Sequence, residues 1–88
     1  MTINIKDLKN KIIYRANYRG TKEMDKLLGS FTKKYINQLT ENQLILLCDL
    51  LDYDDENLYK FNQGQNLIIE IKNNKVTELF KNYNYVSE

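Results

Sequence analysis

Apolar positions recur at helical spacing along almost the whole chain. Ile5, Leu8, Ile12 and Ala16 fall on one face of a first predicted helix. Met24, Leu27, Leu28, Phe31 and Tyr35 follow the i, i+3, i+4, i+7 pattern of a second. Between them Gly20 suits the left-handed conformation that ends a helix, and Thr21 suits the cap of the next. Thr40 opens a third helix, where Gln43 completes a capping box. Its buried stripe is Leu44, Leu47, Cys48 and Leu51. Asp54 or Asp55 can cap a short fourth helix through Leu58 and Phe61, which Gly64 would end. Leu67, Ile68, Ile71, Leu79, Phe80 and Tyr83 predict a last helix, weakened in its middle by Asn73-Asn74. A hairpin with Leu67 to Ile71 as one strand is the alternative, set below the helix because no Gly marks its turn. The final residues are expected to be disordered. The expected fold is therefore all-α: one domain over residues 1–88, a compact bundle of about five helices with short connections.

Composition narrows the chemistry. The chain has 88 residues, so its core is thin and leaves little room for an enclosed substrate pocket. Histidine is absent, which removes the commonest general base and the commonest metal ligand. No serine or cysteine triad that needs histidine can form within this chain. The single cysteine, Cys48, cannot make an internal disulfide, which fits a reducing compartment. It lies on an apolar stripe with no cation close in sequence, and reads as a small buried core residue. No apolar run is long enough to span a bilayer, so no membrane insertion is expected. Met1 leads at once into a helical pattern, and neither a signal peptide nor a transit peptide is expected.

Net charge is only +1, but it is unevenly distributed. Residues 1–39 hold nine Lys/Arg against three Asp/Glu, and residues 40–88 hold four against nine. The basic N-terminal half can steer toward an acidic partner, whether protein or nucleic acid. A nucleic-acid-binding or antitoxin-type regulator is thus the alternative reading. It is disfavoured, because the lysines are spread over several helices and no nucleic-acid motif appears. The acidic run Asp52-Tyr53-Asp54-Asp55-Glu56-Asn57 fails the calcium-loop template, with Asn57 at the glycine position and Gln63 where the bidentate Glu belongs. Helix capping and the helix dipole account for it better.

The strongest signal is Arg19-Gly20-Thr21-Lys22-Glu23-Met24-Asp25. As a helix junction it has the expected order of charges, with a cation ending one helix and anions starting the next. That does not explain the choice of arginine. The chain has eleven Lys and two Arg, and the two arginines, Arg15 and Arg19, sit at i, i+4. A dipole would accept Lys equally well, whereas a planar guanidinium holds carboxylates, phosphates or backbone carbonyls in fixed geometry. Gly20, without a Cβ, would also let another backbone approach. The partner-binding candidates are Arg19, Gly20, Thr21, Glu23, Met24 and Asp25, with Arg15 and Tyr18 at the margin. Arg19 would either contact a partner or brace Glu23 and Asp25.

At these residues the chain resembles the succinate dehydrogenase assembly (flavinylation) factor family, which carries Arg-Gly-x-x-Glu-x-Asp between its first two helices. The resemblance takes in Tyr14-Arg15-Ala16 before the signature, then Leu27-Leu28-Gly29, Phe31 and Leu39-Thr40. It continues through Leu50-Leu51, Asp54-Asp55 and Leu58-Tyr59, covering roughly residues 8–64. It departs at Phe61, where the family usually has Trp, and at Asn57, near which the family has an acid. The resemblance implies a five-helix factor that binds the flavoprotein subunit of succinate dehydrogenase, and sometimes of fumarate reductase. Such a factor promotes covalent attachment of FAD to a histidine of that client. It implies no enzyme activity and no tightly bound cofactor, the FAD being held by the client. The expected location is the bacterial cytoplasm.

Overall fold

The computed structural model describes residues 4–84. Five helices follow one another: α1 (Ile5–Asn17), α2 (Lys22–Tyr35), α3 (Glu41–Leu51), α4 (Asp55–Asn62) and α5 (Lys75–Lys81). There is no strand among the described residues, so the expected all-α bundle is the fold. The disorder expected of the final residues concerns 85–88, which lie outside the described range.

Caps set most of the boundaries. Asn4 accepts from the Asp7 amide to start α1, and Thr21 accepts from the Met24 amide to start α2. Thr40 and Gln43 form the capping box expected at α3, with the Thr40 amide donating to Gln43 Oε1 at 2.9 Å. Gly64, at φ +72°, ends α4 in a Schellman turn. The Gln65 amide donates to Lys60 O, and the Gly64 amide donates to Phe61 O.

Two boundaries differ from the sequence reading. Asp54 occupies the N-cap of α4, but its carboxylate takes the Asn57 side-chain amide instead of a backbone N–H. The last helix is also much shorter than the apolar pattern predicts. Residues 65–74 form neither helix nor hairpin, and α5 begins at Lys75. Asn74 does not weaken a helix interior; it caps one, with Thr77 returning the bond to the Asn74 amide. A short polar side chain that competes for backbone donors favours a new start over a helix interior.

The core runs through Ile12, Ala16, Leu28, Phe31, Leu44, Leu47, Leu58, Val76 and Phe80, all buried. Helix α1 packs on α2 and α3, and α5 packs on α3 and α4. Phe31 is the hub, with ring centroids 5.1, 5.2 and 5.4 Å from Tyr35, Phe80 and Tyr83. Cys48 is only half-buried, against the edge of this core, because it sits one position off the deepest stripe.

A seven-residue helix is too short to hold itself, so α5 depends on its contacts. Asn62 Nδ2 donates to both Phe80 O and Tyr83 O at 2.8 Å, which ties α4 to the C-terminal end of α5 and the turn after it. Tyr83 donates its hydroxyl to Ser30 Oγ on α2 at 2.8 Å. Replacing Asn62→Ala is expected to lower stability by about 1–2 kcal/mol, read by urea denaturation. The amides of α5 should lose hydrogen-exchange protection first.

Candidate functional site

Helix α1 ends at Asn17, earlier than the charge pattern suggested, and Tyr18 to Gly20 form the turn into α2. Gly20 has φ +116°, a conformation that strains any residue bearing a Cβ. A Cβ built there would meet nothing within 4 Å, so the glycine serves the turn and leaves open surface above it. Within the chain itself the close approach is at Gly29, where an added Cβ would collide with the Asn17 side chain.

Arg19 does not point outward. Its side chain is 11 % exposed, and its guanidinium fills the turn between α3 and α4. Nη1 donates to Leu51 O and Nη2 to Tyr53 O, each at 2.7 Å, while Nε donates to Asp55 Oδ1 at 2.9 Å. Arg15, one turn earlier, pairs with Asp52 and donates to Cys48 O at 3.4 Å. Helix α3 has no basic residue in its own last turn. Arg15 from α1 and Arg19 from the turn after it therefore supply cations to its carbonyl-rich end, where the dipole favours them.

The acids of the 52–57 run divide accordingly. Asp52 and Asp55 take the arginines, and Asp54 takes Asn57. No group of three or more metal-ligating side chains occurs among the described residues. The Cys48 thiol is pushed up from its ordinary value by burial, against the opposing pull of Arg15.

The remaining signature residues split by exposure. Asp25 is half-buried and accepts the Arg19 backbone N–H, which fixes the turn to the start of α2. Met24 is 5 % exposed and belongs to the core. Gly20, Thr21, Lys22 and Glu23 stand on the surface. Beside them Tyr18, 70 % exposed, packs its ring on Tyr14 at a centroid distance of 4.7 Å. On the other side Glu23 borders a groove of about 550 Å³ with Tyr59, Lys26 and Asn62.

Arg19, Asp25, Asp52 and Asp55 thus build a braced corner, and Gly20 to Glu23 with the tyrosine pair form its outer face. The pairing of Asp52 and Asp55 with the arginines is not legible in the sequence, where the acidic run fits helix capping and the helix dipole. The available signal was the match between two arginines at i, i+4 and two acids three residues apart. Replacing Arg19→Lys is expected to cost about 2 kcal/mol, because an ammonium cannot hold three divergent acceptors at once. The melting temperature should fall by roughly 10 °C. An unchanged melting temperature would contradict the bracing role.

A family model described as "Flavinator of succinate dehydrogenase" matches residues 10–84. The "FAD assembly factor SdhE" of Wigglesworthia glossinidia brevipalpis is 35% identical over 78 residues, which are 84% of this chain and 86% of that protein. The protein of the same description from Legionella pneumophila (strain Lens) is 38% identical over 56 residues, 64% of this chain and 70% of that one. The "Succinate dehydrogenase assembly factor 2, mitochondrial" of Scheffersomyces stipitis is 43% identical over 49 residues, 56% of this chain. The chain spans about a third of the length of that and another yeast relative. No solved structure matches. On the match over residues 10–84, the chain belongs to the succinate dehydrogenase flavinator family.

Proposed function

We propose that this protein binds the flavoprotein subunit of succinate dehydrogenase and promotes covalent attachment of FAD to it. Family membership over nearly the whole described range carries the reading. The relatives named as FAD assembly factors support it over the nucleic-acid or antitoxin alternative. The geometry adds a mechanism. The docking face is the outer side of the braced corner: Gly20, Thr21, Lys22 and Glu23, flanked by Tyr18 and Tyr14. Arg19 and Asp25 hold this face in shape from beneath, and Arg15 supports the same turn.

Docking would do the work without a reacting side chain from this chain. It has no histidine, and burial holds its one thiol protonated. The flavin-accepting histidine and the FAD belong to the client. By binding one client conformation better than the others, the factor enriches the state in which the flavin links itself. A preformed corner favours such selection, since little ordering entropy is lost on docking. We place this activity in the bacterial cytoplasm, a location proposed with the function.

The test separates docking from folding. Glu23 is exposed and makes no hydrogen bond or ion pair among the described residues, so Glu23→Lys should change stability by less than about 1 kcal/mol. In cells relying on this variant, covalent flavin on the client, read by in-gel fluorescence of the denatured subunit, is expected to fall at least about tenfold. Normal covalent flavin in cells lacking the chain would overturn the proposed function.

A further inference from the structure

A second surface runs away from the corner along the seam between α1 and α2. Three contiguous depressions of about 390, 290 and 320 Å³ follow this seam. The first two share Ile13, Ile36 and Asn37, and the last two share Asn17, Gly29 and Lys33. At one end the channel reaches Asp25 and Lys26, inside the docking corner.

Its chemistry is one-sided. Lys6, Lys9, Lys26 and Lys33 line it, and none forms an ion pair among the described residues. The one carboxylate along it, Asp25, already accepts the Arg19 backbone N–H. The floor is aliphatic, with Ile13 left 40% exposed and Ile36 beneath it. The Thr32 hydroxyl also lies along this floor, 1% exposed and without a hydrogen-bond partner among the described residues.

We propose that this channel seats an acidic segment of the client flavoprotein that carries an aliphatic anchor. The inference rests on the proposed function and extends its docking face along the length of α1. Carboxylates of the segment meet Lys6, Lys9, Lys26 and Lys33. An aliphatic side chain covers Ile13 and Ile36, and Asn37 and Asn10 offer amides to its backbone. Charge complementarity selects the partner, and continuity with the corner sets the direction in which the segment runs. The corner holds one point of the client, and the channel fixes its orientation.

The experiment uses the full chain and the purified client flavoprotein, with affinity measured by calorimetry across a salt series. Wild-type affinity should fall steeply as salt is raised, as expected for several charge pairs near a surface. The double variant Lys9→Glu/Lys33→Glu should bind at least about tenfold more weakly, and Lys9→Gln/Lys33→Gln about threefold. Both should melt within a few degrees of the wild type, since Lys33 is exposed and Lys9 makes a single solvent-exposed hydrogen bond, to Asn37 Oδ1 at 3.3 Å. A photocrosslinking residue at position 13 should label a client peptide rich in Asp or Glu. Wild-type affinity in the charge-reversed variant, or labelling of a peptide without carboxylates, would overturn the channel while leaving the corner reading in place. A labelled single-stranded oligonucleotide held by the same lysines and displacing the client would assign the seam to nucleic acid instead, and would also overturn it. No complex at all between wild-type chain and client would overturn both readings.

Discussion

The candidate site is organised around one largely buried guanidinium. Arg19 reaches from the α1–α2 turn to two carbonyls and one carboxylate around the α3–α4 turn. The Leu51 carbonyl is one that α3 leaves open at its C-terminal end, the Tyr53 carbonyl belongs to the turn, and the Asp55 carboxylate stands at the start of α4. A single side chain thereby joins two connections that are more than 30 residues apart in sequence, as the Leu51 bond shows with its separation of 32. Charge-assisted bonds of normal length in a site 11 % exposed are worth more than a surface pair. Arg15 and Asp52 repeat the arrangement one turn away, where both side chains are exposed and the contribution is small.

This arrangement explains a choice that helix dipoles leave open. A planar guanidinium in place of an ammonium implies acceptors in fixed positions. The acceptors exist, but they belong to the chain itself. Sequence spacing shows which residue types are present; it does not show which turn folds back onto which. The acidic run between α3 and α4 carried the complementary half of the signal. Its acids also suit helix caps, so the local explanation concealed the tertiary one. Only the packing of α1 against α3 brings the two halves together.

Elsewhere the legible features were those set by short-range chemistry. Thr21, the Thr40–Gln43 box and Gly64 do what their positions in the sequence suggest. The 65–83 region was misread because its apolar residues fit a helical period across a segment that the chain does not keep helical. The period could not show that Asn74 with Thr77 offers a new helix start. Nor could it show that Asn62 would reach across to close the far end of α5. The single-residue displacement of Cys48 from the core has a similar origin, since a stripe two residues wide does not specify which side faces inward.

The inward turn of Arg19 also changes what the signature can mean for recognition. A side chain with three intramolecular acceptors is not available to hold a partner's carboxylate without dismantling the corner. On the proposed reading, direct contact falls to exposed groups outside that brace: Gly20, Lys22, Glu23 and the exposed tyrosines, with Thr21, whose hydroxyl caps α2, beside them. Invariant geometry and direct contact become separate jobs, with arginine and Asp25 doing the first and small or exposed residues the second. On that reading, a corner held this way would present the same surface before and after docking. That is the property a factor needs if it acts by selecting one conformation of its client, because a surface that adapted to every conformation would favour none.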